Sequence, residues 1–168
     1  AIWLSSLILT GCVSVAHLPP DEELRLDSEI ENILTNRPAT QVDDQPITLP
    51  DNVVSEAGFI WPLRNTVLSN MAESGINIKA IDGEPVRAVK SGMVTFVSDR
   101  FEGYGKVIIV KHQNGFTSLY AYNSEIMVKL NQVVKQGDII AKAGQSGRAE
   151  QPQLHFRLFL NEKPVNPM

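Results

Sequence analysis

One cysteine, Cys12, among 168 residues leaves no pair for an internal disulfide. The apolar run that opens the chain, Ile2 to Thr10, is too short to cross a bilayer, which takes about 20 apolar residues. Basic excess is also missing: 15 Lys and Arg stand against 19 Asp and Glu, for a net charge of −4. Without such an excess no counterion release would drive binding to a polyanion, so nucleic acid is not expected as a partner. Histidine is scarce, with only His17, His112 and His155, and no internal repeat is evident. What remains is a globular composition, 43% hydrophobic and 20% charged, sufficient for one ordinary domain with an extension.

The opening run fits the apolar core of a secretory signal that ends at the cysteine. Leu9-Thr10-Gly11-Cys12 resembles the bacterial lipobox, in which the cysteine is acylated and becomes the mature N-terminus. Residues 1–12 are therefore read as a truncated lipoprotein signal segment with Cys12 as its lipidation site. Acyl chains contribute ~0.8 kcal/mol per buried methylene, enough in pairs or triplets to hold a protein on a membrane. Val13 stands where an aspartate would retain a lipoprotein in the inner membrane, so an outer-membrane lipoprotein facing the periplasm of a Gram-negative bacterium is expected.

Residues 13–57 read as a tether. Within it, 21–36 predicts a short amphipathic helix, with Leu26, Ile30, Ile33 and Leu34 on one face, Asp21 as N-cap, and acids in the first turn suiting the helix dipole. Arg37-Pro38 ends it. The following stretch is rich in Pro, Asp, Gln and Thr, without periodicity, and reads as a linker.

From 58 to 168 short β-rich runs alternate with turn residues, which predicts an antiparallel, mostly β domain. Pro85–Val89, Gly92–Val97, Lys106–Lys111, Phe116–Ala121, Gln132–Val134, Asp138–Ala141 and Leu154–Leu160 are the expected strands. Asn114-Gly115 between two of them is the strongest hairpin signal in the chain. His112, just before it, reads as a turn-tolerant polar residue, and His17 as a solvated residue of the tether.

Four places in this domain carry a resemblance: Glu73-Ser74-Gly75-Ile76-Asn77, Gly103-Tyr104-Gly105, Leu119-Tyr120-Ala121-Tyr122 and Gln153-Leu154-His155. Their order resembles the lysostaphin-type (LytM) zinc endopeptidases, which cut peptidoglycan cross-links. The resemblance implies two antiparallel sheets forming a groove, in the manner of a duplicated hybrid motif, with the site on its floor. In the active enzymes a His-x-x-x-Asp motif and the second histidine of a late His-x-His pair hold the zinc. Here the matching positions are Glu73, Asn77 and His155, with Gln153 in place of the first late histidine and Tyr122 in place of a further catalytic one. Neither Gln153 nor Tyr122 takes a proton at pH 7, and the ligand set is short of a carboxylate and a histidine. No catalysis and no cofactor, zinc included, is expected. Gly75, Gly103, Gly105, Gly115, Gly137, Gly144 and Gly147 stand where the family puts glycine; one departure is Asn131, near a turn where relatives often carry glycine, and asparagine tolerates the left-handed region.

A lipobox, a tether and such a degenerate domain together resemble the NlpD/EnvC-like murein hydrolase activators. That resemblance implies a non-catalytic periplasmic lipoprotein that activates N-acetylmuramoyl-L-alanine amidases in cell-wall remodelling and cell separation. The expected partner-binding groove comprises Glu73, Asn77, Tyr104, Tyr122, Arg148, Gln153 and His155. Two alternatives stay open: a module that binds peptidoglycan without turnover, and a weak zinc endopeptidase built on Glu73, Asn77 and His155.

Overall fold

The computed structural model describes residues 20–35, 58–70 and 74–167. Cys12 with its lipobox, His17, the linker after the helix, and Glu73 lie outside the described residues. Helix α1 spans Pro20–Thr35, one residue ahead of the expected stretch at both ends. Proline suits a first helical turn, where its missing N–H would have no partner in any case. At the other end Thr35 Oγ1 donates to the Glu31 carbonyl at 2.7 Å, and no basic side chain stands in the last turn. No described helix is long and apolar enough to cross a membrane.

Ten strands follow among the described residues: β1 (Val67–Asn70), β2 (Ile76–Lys79), β3 (Pro85–Arg87), β4 (Gly92–Phe101), β5 (Gly105–His112), β6 (Phe116–Ile126), β7 (Val133–Val134), β8 (Ile139–Ala143), β9 (Gln153–Leu160) and β10 (Lys163–Val165). All pairings are antiparallel, as the sequence predicts. The main order is β1-β2-β9-β6-β5-β4-β7, with β10 on β9 and β3 paired to β8 as a branch. The two expected layers are joined into one hydrogen-bonded network, because β6 changes partner midway. Its first half, Phe116 to Ala121, pairs with β9, and Asn123 to Ile126 pair with β8. Tyr122 sits at the change, with φ at +66°.

The hairpin between β5 and β6 turns on Asn114 and Gly115, both at positive φ, as the dipeptide demands. Asn131 also adopts the left-handed conformation, φ +65°, and its N–H donates to the Val94 carbonyl at 2.7 Å. His112 departs from its expected place in a turn: it is the last residue of β5 and is buried. Its Nδ1–H donates to the Ser91 carbonyl at 3.0 Å, while Nε2 meets Ser118 Oγ at 2.7 Å. Ser118 continues to Tyr120 Oη at 2.9 Å, which also accepts from Val89 N. Burial, with nearby Lys90 adding to it, lowers the His112 pKa to about 4, and burial pushes the Tyr120 phenol up to about 12.

Side chains alternate across the central strands, and both faces are covered. Ile108 and Val110, Tyr120, Leu154 and Phe156, Ile76 and Ile78 face one core, closed by the β3–β8 branch. Val107 and Ile109, Leu119 and Ala121, and Phe159 face the other, and there the covering element is α1, through Ile30. This explains why Val107–Val110 of β5, Leu119–Tyr122 of β6 and Leu158–Leu160 of β9 read as continuous apolar runs instead of alternating ones. Complete burial of an isoleucine contributes about 1.5–3 kcal/mol, which Ile30 supplies to the attachment of the helix.

Candidate functional site

Strand β9 lies between β2 and β6, and its register sets the site. Asn77 pairs directly with His155 on one side, and Ala121 pairs with His155 on the other. Gly75 sets the approach of β2: its φ is +103°, and a Cβ there would come within 2.6 Å of both the Phe156 carbonyl oxygen and Arg157 Cγ. Only glycine allows the chain to turn into β2 that close to β9.

His155 Nδ1–H donates to Asn77 Oδ1 at 2.8 Å, and Asn77 Nδ2 donates to Ser69 Oγ at 3.0 Å. The amide is thus held between β1 and β9, with its oxygen committed to the imidazole. His155 is 2% exposed, and its Nε2 is buried without a hydrogen-bond partner. Burial first, and the charge of Arg157 second, lower its pKa to about 3, so the ring is neutral at physiological pH.

Two tyrosine rings close over this histidine. Tyr104 lies 5.2 Å and Tyr122 5.5 Å from the imidazole centroid, and the two phenol rings stack at 6.2 Å with 23° between their planes. Tyr122 N donates to the Tyr104 carbonyl at 3.0 Å, so the left-handed backbone at Tyr122 is pinned to the Gly103–Gly105 corner. That corner packs against the loop before β9: a Cβ on Gly105 would overlap the Gly147 amide, and Arg148 N donates to the Gly103 carbonyl at 3.0 Å. Gln153 opens β9 opposite Lys79, and its N–H donates to the Gly144 carbonyl at 3.0 Å.

Asn77, Tyr104, Tyr122 and His155 therefore form one cluster, while Gln153 and Arg148 belong to the strand end and loop beside it. Tyr104 is 7% exposed and His155 less, so these two line the bottom of the cluster and not an open wall. Asn77, Tyr122, Arg148 and Gln153 are half-buried. Sequence reasoning did not find Ser69, which fixes the Asn77 amide, because a serine in a short polar strand carries no signal. It also missed Arg157, although its place two residues after His155, on the same face of the strand, could have flagged it.

A catalytic zinc needs about three protein ligands with free lone pairs and an open position for water. Asn77 and His155 do not fit that requirement. Asn77 is neutral, its oxygen accepts from His155 Nδ1–H, and the remaining imidazole nitrogen is buried beneath aromatic rings. Among the described residues no cluster of three or more metal-ligating side chains completes the set.

The model for Peptidase family M23 matches residues 71–167. A Pseudomonas aeruginosa protein named "Lipoprotein NlpD/LppB homolog" is 34% identical over 116 residues, covering 66% of this chain and 39% of that protein. A Salmonella dublin protein named "Murein hydrolase activator NlpD" is 31% identical over 150 residues, covering 79% of this chain and 40% of that one. The chain thus spans about 40% of the length of these relatives. Among solved structures, a putative M23 peptidase from Pseudomonas aeruginosa superposes with a TM-score of 0.67 at 27% identity, over 90% of this chain and 61% of its own.

Proposed function

From a chain that belongs to Peptidase family M23 yet pairs Asn77 with His155 where a metal would need free ligands, we infer a non-catalytic cell-wall lipoprotein that activates an amidase. The amidase class is the N-acetylmuramoyl-L-alanine amidases, the site of action is the periplasm, and Cys12 carries the lipid anchor. The observation that carries the reading is the Ser69–Asn77–His155 chain of hydrogen bonds, which commits the Asn77 amide and His155 Nδ1 to one another. The names of the relatives, an activator of murein hydrolases and a lipoprotein, support it. So does the chemistry of Tyr122 and Gln153, neither of which serves as an acid or base near neutral pH.

The surface offered to the amidase is the half-buried rim of the cluster, Asn77, Tyr122, Arg148 and Gln153; Glu73, four residues before Asn77, lies outside the described residues. Tyrosine and arginine are frequent anchors of protein interfaces. The test is release of labelled fragments from purified sacculi by the chain alone, by an amidase from the same organism alone, and by the two together. Release in the mixture above the rate of the amidase alone is the expected result. Release by the chain alone, abolished by a chelator, would instead establish a zinc endopeptidase. No stimulation, with the chain pelleting on sacculi, would establish a peptidoglycan-binding module.

A further inference from the structure

The β3–β8 branch closes the core on the side of the sheet away from the Tyr104–Tyr122–His155 cluster, so its other side faces outward. Val86 and Ala141 are paired and turned into that core. The neighbouring pairs, Arg87 with Ile139 and Pro85 with Lys142, stand on the outer face, by the alternation of the strands. Met127 joins them just beyond β6: Ile126 and Val128 on either side of it both meet the core, and its N–H donates to the Ile140 carbonyl at 2.9 Å. Leu130 lies in the turn that follows. The result is a patch of large apolar side chains in water, with Met127 47%, Leu130 53% and Ile139 40% exposed. Arg87, Lys129 and Lys135 are exposed beside them. The segment 58–63 extends the layer, since Ile60 N donates to the Val89 carbonyl at 3.0 Å and Arg87 N to the Pro62 carbonyl at 3.1 Å. It brings Trp61, 44% exposed, to the edge of the layer.

We propose that this outer face of the β3–β8 branch is a docking surface for the headgroup region of an anionic phospholipid bilayer. Met127, Leu130 and Ile139 would enter between the headgroups, Arg87, Lys129 and Lys135 would meet their phosphates, and Trp61 would lie at the margin. Docking would hold the Tyr104–Tyr122–His155 cluster on the far side of the domain, turned away from the bilayer. The proposal uses neither the amidase reading nor acylation of Cys12, and it stands without either.

The commitment to a lipid surface rests on charge and apolar exposure found together. Exposed apolar side chains alone would suit a second protein, and cations alone would suit a soluble polyanion. The acids of this layer are engaged: Glu125 pairs with Lys142 at 2.6 Å, and Asp138 turns back to accept from the Lys135 N–H at 2.8 Å. The chain as a whole carries a charge of −4, and the sequence of α1, which covers the opposite core, is acidic with Arg25 as its one base. The cations of the branch are thus a local excess, and charge alone orients this face toward an anionic surface and α1 away from it.

The test uses the 168-residue chain with Cys12→Ser, so that one introduced cysteine can carry an environment-sensitive nitrobenzoxadiazole label. The label is placed at Leu130→Cys in the patch or, as a control, at Glu150→Cys in the exposed loop before β9. With vesicles of phosphatidylethanolamine and phosphatidylglycerol, the label at 130 should brighten and shift to shorter wavelength, and the label at 150 should stay as in buffer. The lipid concentration that gives half of the change should rise at least about tenfold when Lys129→Glu and Lys135→Glu are added, or when phosphatidylcholine replaces both lipids. Each label reports its own depth, so the result is independent of what the apolar run Ile2 to Thr10 contributes to binding. No change at 130, in a chain whose thermal melt matches the unlabelled one, would overturn the proposal. So would an equal response at 150, or an equal response to phosphatidylcholine. A change at 130 that grows with protein concentration without vesicles would assign the patch to a second copy of the chain, and a change with purified sacculi but not with vesicles would assign it to the cell wall. Either result overturns the lipid assignment.

Discussion

Asn77 Oδ1 accepts a hydrogen bond from His155 Nδ1 at 2.8 Å, across the directly paired residues of β2 and β9. Asn77 and His155 stand at two of the ligand positions that the resemblance implies, and here each atom satisfies the other. The bond also makes a link between strands out of what the resemblance implies is a reaction centre in active enzymes. Replacing Asn77 by leucine should therefore cost stability, since Ser69 Oγ and His155 Nδ1 lose their partner together. Leaving a buried donor unsatisfied costs about 1–3 kcal/mol, and the midpoint of urea unfolding should fall accordingly. An unchanged midpoint would mean that the pair holds nothing.

Asn77→Asp probes the same contact through charge. A carboxylate against Nδ1 favours the imidazolium and opposes the lowering caused by burial and by Arg157. The His155 titration, followed by NMR of the imidazole protons, should move upward from about 3. A titration that stays in place would show that the side chain at position 77 does not face the ring.

Gly75 should not accept even alanine. At φ +103° a methyl group is strained, and here it would also press on the Phe156 carbonyl oxygen and Arg157 Cγ. Left-handed strain of about 1–2 kcal/mol and overpacking of about 1–3 kcal/mol add at this position. Thermal unfolding of Gly75→Ala should show a clear loss. A melt within a degree of the parent would contradict the close approach of β2 to β9.

Tyr122 stores backbone strain in the opposite sense, with a bulky residue held at φ +66° where β6 changes partner. The strain is separable from the ring by comparing two truncations. Tyr122→Ala loses the ring and keeps the strain, whereas Tyr122→Gly loses both. The glycine variant should be the more stable by about 1 kcal/mol, reversing the usual order of these residues in a strand. If alanine proves the more stable, the left-handed conformation at 122 does not persist in solution.

The parts of the fold legible in sequence are those with local rules. Asn114-Gly115 determines its own turn, Asn131 substitutes for glycine at positive φ, and the spacing of Ile30, Ile33 and Leu34 marks a helix. Strands β1 and β2 were not legible: Val67–Asn70 has no sustained pattern, and the alternation of Ile76 and Ile78 with Asn77 and Lys79 is too short to mark a strand by itself. The placement of β9 between β2 and β6 is a pairing over long sequence separation, for which no local residue speaks. His112 misleads for a related reason: beside a turn signal it looks solvated, yet Ser91, Ser118 and Tyr120 give it partners inside the core. At the site, the replacements Asn77, Tyr122 and Gln153 were visible as departures from a motif, but the bond between Asn77 and His155 required the register.

His112 and His155 make the stability of the domain depend on pH in a defined direction. Both are buried and neutral when folded, with pKa values lowered from 6.5 to about 4 and about 3, and each returns to its ordinary value on unfolding. Below pH 6.5 the unfolded chain binds protons that the folded chain refuses, so stability is full above that pH and falls as the pH drops toward the folded values. In that window each histidine contributes a slope of about 1.4 kcal/mol per pH unit. Urea midpoints between pH 7.5 and 5, where most carboxylates remain ionised, should decline steadily below pH 6.5 and stay level above it. In His155→Gln the decline should be about half as steep, with His112 supplying the remainder. A stability that is flat from pH 7.5 to 5 would mean that both rings reach solvent when folded, and would remove the buried Asn77–His155 contact along with them.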